Sequence, residues 1–146
     1  MNARRTAVKF LNAVGVLLVA LGVVHLVATP HIPLLLRGSP RAVYQQAVGP
    51  TLLNHVLVGL LLLPLGYTTW LAGAAAECGE MWAKHVLVLN TLVVFTMPIL
   101  VAVFMRRPEY YRAPLFLAGV GLVAVIALLM GVAIFILAGA AEPSRG

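Results

Sequence analysis

The sequence predicts an all-α integral membrane protein, an up-down bundle of four transmembrane helices, and three observations carry that prediction. Of 146 residues, 62% are hydrophobic and only 10% are charged, against about 45–50% apolar and about 25% charged in an ordinary soluble domain. Four apolar runs reach the roughly 20 residues that a helix needs to cross a hydrocarbon core. The joints between them are short, which leaves room for one membrane domain over residues 1–146 and for no second one.

The first run extends from Val8 to about Ala28 behind Arg4, Arg5 and Lys9. Basic residues ahead of an apolar stretch also describe a signal peptide, but an h-region has about 7–15 residues and Val27-Ala28-Thr29 is a poor cleavage site, so the run is expected to stay as a helix. The second run covers about 51–74, the third about 82–105 and the fourth about 114–138. Trp70 and Trp82 bracket the joint between the second and third runs, and Tyr110 and Tyr111 precede the fourth. Amphipathic rings favour such positions at the membrane interface.

Only the first joint, Thr29 to Gly49, can hold structure of its own. Pro30 and Pro33 disfavour helix in the residues before them. Ser39 reads as an N-cap with Pro40 at the first helical position, starting a short interfacial helix that Gly49-Pro50 ends. The segment serves either as a re-entry loop at the headgroups or as a lid over a site.

Lys and Arg decide orientation. Arg4, Arg5, Lys9, Lys84 and Arg145 fall on one side, and Arg37, Arg41, Arg106, Arg107 and Arg112 on the other. With the count tied, the first helix places both termini in the cytoplasm, and the expected setting is a bacterial inner membrane. The net charge of +6 suits anionic lipid headgroups, so the lipid bilayer is a partner, while no basic face remains for nucleic acid.

Several chemistries are excluded. Cys78 is the lone cysteine, so neither an intrachain disulfide nor a thiolate metal cage can form. The chain has no Asp, and Glu77, Glu80, Glu109 and Glu142 lie outside the four runs. Paired-carboxylate hydrolysis and carboxylate proton relays are thereby removed. There is no glycine-rich phosphate loop, Ser-centred nucleophile motif or His-x-x-His pair.

Polar residues within the runs are His25, Asn54, His55, His85, Asn90, Thr91 and Thr96. Such residues are costly in hydrocarbon and usually face the bundle interior. His25 ends the first run and His55 begins the second, so both are expected roughly 5 Å inside one interface. At about 100° per residue, Gly59, Gly66 and Gly73 fall within roughly 40° of His55. Gly22 lies about 60° from His25.

That stripe has two possible uses. The glycines let helices pack closely, with His55 hydrogen-bonded to a neighbour. Alternatively, they clear a groove for b-type haem, with His25 and His55 as axial ligands, Gly59 and Gly66 beneath the ring, and Arg37, Arg41 or Arg112 near the propionates. A metal variant adds His31 to His25 and His55, three imidazoles suited to copper or zinc. His85 has no histidine partner at its depth.

On the third run, Thr91 and Thr96 are expected to satisfy backbone groups loosened by Pro98, with Pro64 bending the second run likewise. Asn90 is expected to hydrogen-bond between helices, at about 1 kcal/mol. The fourth run carries Ala118, Gly119, Gly121, Ala127, Gly131 and Ala133, and should pack on the bundle or on a second copy. Met97, Met105 and Met130 read as packing or lipid-facing side chains.

Three function classes follow. They are a haem- or metal-binding electron-transfer component, a non-catalytic subunit of a larger membrane complex or homo-oligomer, and a small-solute carrier. The missing intramembrane carboxylate counts against the carrier.

Overall fold

The computed structural model describes residues 3–104 and 114–139. Every element among them is helical: α1 (Ala3–Ala28), the 3-10 turn Thr29–His31, α2 (Ile32–Leu36), α3 (Arg41–Glu77), α4 (Met81–Phe104) and α5 (Pro114–Gly139). Four segments, Ala3–Leu36, Arg41–Glu77, Met81–Phe104 and Phe116–Gly139, are long and apolar enough to cross a membrane. Large apolar side chains such as Leu61, Leu89, Leu128 and Phe135 stand exposed on them. Water would not tolerate such surfaces over four helices, whereas lipid tails do. Met105, Arg106, Arg107, Glu109, Tyr110, Tyr111, Arg112, Glu142 and Arg145 lie outside the described residues.

The first joint differs from its expectation. Gly49-Pro50 does not end a short helix; Pro50 lies inside α3, which runs unbroken to Glu77. Proline forfeits one N–H bond and crowds the preceding turn, but the bonds on either side can hold the helix together. The helix also starts one residue later than expected: Pro40 accepts the first helical bond, from Tyr44 N–H at 2.9 Å. The short helical pieces of the joint lie earlier, at Thr29–Leu36, where Pro30 and Pro33 occupy first-turn positions. Proline is tolerated there because those N–H groups have no intrahelical acceptor.

Contacts divide the chain into two units, Met1–Val14 with Thr68–Gly146, and Gly15–Tyr67. In the first, Ala7, Val8 and Leu11 of α1, Ala72 and Ala76 of α3, Ala83 and Leu87 of α4, and Ala133 and Leu137 of α5 form one buried cluster. Five of those nine are alanines, which lets the helices approach closely.

The end of α3 explains how this cluster is bounded. Gly79 takes φ +87°, a left-handed conformation that glycine adopts without a Cβ penalty. Its N–H bonds Ala76 O at 3.1 Å and Glu80 N–H bonds Ala75 O at 3.2 Å, the two bonds of a Schellman cap. Arg4 Nη2 donates to the same Ala76 carbonyl at 2.7 Å, placing a cation at the negative end of the helix. The start of α1 is thus tied to the end of α3.

Asn90, buried on α4, donates through Nδ2 to Thr68 Oγ1 at 3.0 Å and to Thr69 Oγ1 at 2.9 Å. The interhelical role expected of Asn90 is therefore met. Asn90→Val should lower thermal stability in detergent by about 1 kcal/mol, because it removes both bonds and leaves buried Thr69 without them. A variant that melts with the wild type would show that the threonine hydroxyls find equivalent donors.

Thr91 and Thr96 donate to the carbonyls of Leu87 and Leu92, four residues back, at 2.8 and 2.7 Å. The carbonyl that Pro98 deprives of its helical donor is that of Val94, four residues before it, so the threonines do not repair that break as expected. They bond their own preceding turns instead, a habit of hydroxyl side chains inside helices.

On α5, Ala127, Met130 and Ala133 are buried, whereas Gly119, Gly121 and Gly131 are exposed, and a Cβ on any of the three would meet nothing within 4 Å. The Ala127–Gly131 pair is thus divided between a packed and an open side of the helix.

Candidate functional site

The site is built in the unit Gly15–Tyr67, where the later part of α1 meets the earlier part of α3. Gly22 and Gly59 face each other: a Cβ on Gly22 would lie 2.9 Å from Gly59 O, and one on Gly59 would lie 3.0 Å from Gly22 O and 2.7 Å from Leu26 Cγ. A Cβ on Gly66 would fall 2.6 Å from Gly15 O and 2.7 Å from Val19 N. Glycine is required at these positions because backbone meets backbone. Gly15 and Gly22 on α1, and Gly59 and Gly66 on α3, each sit seven residues apart, so one face of each helix presents a bare strip.

The close approach brings His25 of α1 and His55 of α3 together. Their ring centres are 5.2 Å apart, with the planes inclined at 39°. The pairing expected from the sequence is therefore present, although for a different reason. His55 is not near the start of its helix; α3 begins at Arg41, so His55 lies about 21 Å along it at 1.5 Å per residue.

The hydrogen bonds define the chemistry of the pair. His25 Nδ1 lies 2.9 Å from Leu21 O. A carbonyl only accepts, so Nδ1 carries a proton, and in the neutral ring Nε2 then holds the lone pair. Metal-ligating histidines are commonly oriented this way, one ring nitrogen donating to a backbone carbonyl while the other ligates. Thr29 Oγ1 donates to His25 O at 2.8 Å, fixing the turn that carries the ring. On the other side of the pair, His55 Nδ1 is buried with no hydrogen-bond partner. An orphaned buried nitrogen is costly and is stabilised by any partner that reaches it.

Two expectations find no support in this geometry. Haem does not fit between His25 and His55. Axial imidazoles on either side of a haem iron hold their ring centres more than about 6 Å apart, since each nitrogen is about 2 Å from the metal. The rings here are closer than that. Gly59 and Gly66 leave no slot for a porphyrin either, because the backbone of α1 and the side chain of Leu26 already occupy the space over them. Arg37 and Arg41, expected near the propionates, are exposed.

The three-imidazole cage is the second. His31 lies in the Thr29–His31 turn and is exposed, and among the described residues no three His, Cys, Asp or Glu side chains gather closely enough to share an ion. The two consecutive helical pieces carry the chain onward from α1 rather than folding His31 back over the pair.

Of the remaining polar residues, Asn54 and His85 are exposed and do not face an interior as expected. Two were missed. Thr69 is fully buried, and the Thr68-Thr69 pair inside an apolar run was its available signal. Asn12 Oδ1 is buried without a partner, 2.9 Å from where a Cβ on Gly73 would stand. It therefore rests on the Cα–H of Gly73, a weak contact. Compared with protein-family models, curated proteins and solved structures, the chain matches none.

Proposed function

We propose that the protein is a multi-pass membrane protein, with four up-and-down spans and both termini on the cytoplasmic side, whose His25–His55 pair binds a transition-metal ion within the membrane-spanning helices. The observation that carries this reading is the ring separation of 5.2 Å. Two imidazoles on one tetrahedral ion hold their centres about 5 Å apart when each nitrogen lies about 2 Å from the metal. His25 already has the tautomer such a ligand needs, and an ion would give the pair a use for the unpartnered nitrogen of His55. Imidazole ligation in tetrahedral geometry favours Zn²⁺ or Cu⁺. The other two positions would be open to exogenous ligands, as in sites that exchange or react. The Arg4, Arg5 and Lys9 cluster ahead of the first span supports the cytoplasmic placement.

The test is metal content. Purified protein reconstituted with Zn²⁺ or Cu⁺ and passed through a weak chelating column should retain close to one ion per chain and show no Soret band. Retention below about a tenth of an ion per chain would sink the reading. The pair would then be an imidazole–imidazole hydrogen bond between packed helices, and the protein a structural membrane subunit.

A further inference from the structure

We infer that the groove between α4 and α5 is a binding site for one anionic phospholipid, with its phosphate on Lys84 and an acyl chain lying along Leu87, Val88, Ile134 and Leu137. The groove has a volume of about 270 Å³, and Lys84 is the one charged residue lining it. Its wall is otherwise made of leucine, valine, isoleucine and Ala138. Both helices belong to the same unit of the chain, and both are long and apolar enough to cross a membrane. An apolar channel so placed takes a hydrocarbon chain, not water or a polar solute.

Lys84 decides which lipid. It lies in the first turn of α4, and Leu137 and Ala138 lie in the last turns of α5, so the ammonium stands at the end of the groove where a headgroup belongs. A lysine so placed can lay its methylene stem along an apolar wall and keep its ammonium in water. Among the described residues no carboxylate lies within ion-pair distance of it; the ion pair there is Arg5 with Glu77 at 3.9 Å. The same unit carries Arg4, Arg5 and Lys9 near the start of α1. Unpaired among the described residues and standing above an apolar channel, this cation matches a phosphate joined to an acyl chain and carrying net negative charge. A zwitterionic headgroup brings its own ammonium and offers less.

The experiment is native mass spectrometry of the full chain in detergent with equal amounts of phosphatidylglycerol and phosphatidylcholine. The wild type should retain one phosphatidylglycerol in preference to phosphatidylcholine by about fivefold, the order expected of one cation at a membrane surface. Lys84→Gln should bring that ratio close to one, whereas Lys9→Gln should leave it unchanged. Ala138→Trp, which fills the groove, should reduce retention of both lipids. The proposal is overturned if the wild type shows no preference, or if Lys9→Gln removes the preference as fully as Lys84→Gln, since diffuse surface charge then accounts for it. It is equally overturned if Lys84→Gln lowers the melting temperature of lipid-free protein and leaves the lipid ratio alone, because the lysine then serves only the carbonyls ending α5. Lys84→Gln decides the matter by itself should the tryptophan variant not fold.

Discussion

Gly66→Leu is expected to unfold the α1–α3 contact, with a loss of at least the 1–3 kcal/mol that overpacking typically costs. Even the first added carbon would stand 2.6 Å from Gly15 O and 2.7 Å from Val19 N, and backbone atoms cannot turn aside as a flexible side chain can. The helices must separate, and the contacts around Leu18 go with them. The control is Gly131→Leu on α5, where a Cβ meets nothing within 4 Å. Both changes replace a helical glycine by leucine, so their effect on helix propensity is alike and cancels in the comparison. Thermal melting in one detergent should show Gly66→Leu far below Gly131→Leu, with Gly66→Ala between them. Coincident melting curves would mean that the helices are not packed backbone to backbone.

The second large effect concerns the histidines. His25→Ala and His55→Ala should each abolish metal retention, because a site with one remaining imidazole has lost half of the protein ligands on which the proposal rests. His31→Ala and His85→Ala should retain the ion as the wild type does, since both side chains are exposed and neither belongs to a three-residue metal cluster. The two ligand variants should differ in stability. Removing His25 takes away the donor to Leu21 O at 2.9 Å, a modest loss for a carbonyl that remains within a helix. Removing His55 takes away a buried nitrogen without a partner, so in metal-free protein His55→Ala should melt close to or above the wild type. Retention of the ion by His55→Ala would falsify the paired site. A matched fall in stability for both variants without any bound metal would show the rings to be a hydrogen-bonded pair.

The same glycines connect these two expectations. The distance between the imidazoles depends on Gly22 and Gly59, which let the two backbones approach just beside the ring pair. A larger residue at Gly59 meets Leu26 and the Gly22 carbonyl and forces His25 away from His55, so the metal site and the helix contact stand or fall together.

The sequence alone determined the helical class, the four candidate spans and the inward direction of the glycine stripe. These follow from run length, from the scarcity of charge and from the 3.6-residue period, which are local properties of a chain. It also brought His25 and His55 forward as a pair, since one ends the first apolar run and the other begins the second, at matching depth. What it could not decide is whether the space cleared by glycine is left open or is filled by another backbone. Gly59 and Gly66 would be read the same way in either case. The choice depends on what α1 presents opposite them, namely Gly15 and Gly22, and that register exists only once the helices are docked. The run of α3 through Pro50 was hidden for a related reason. A proline removes one hydrogen bond locally, but whether the helix continues depends on the turns on either side. Packing likewise decided that Asn90 meets Thr68 and Thr69 while Asn54 and His85 face outward. A polar residue in an apolar run shows that a partner is needed, and only the tertiary structure shows whether one lies opposite it.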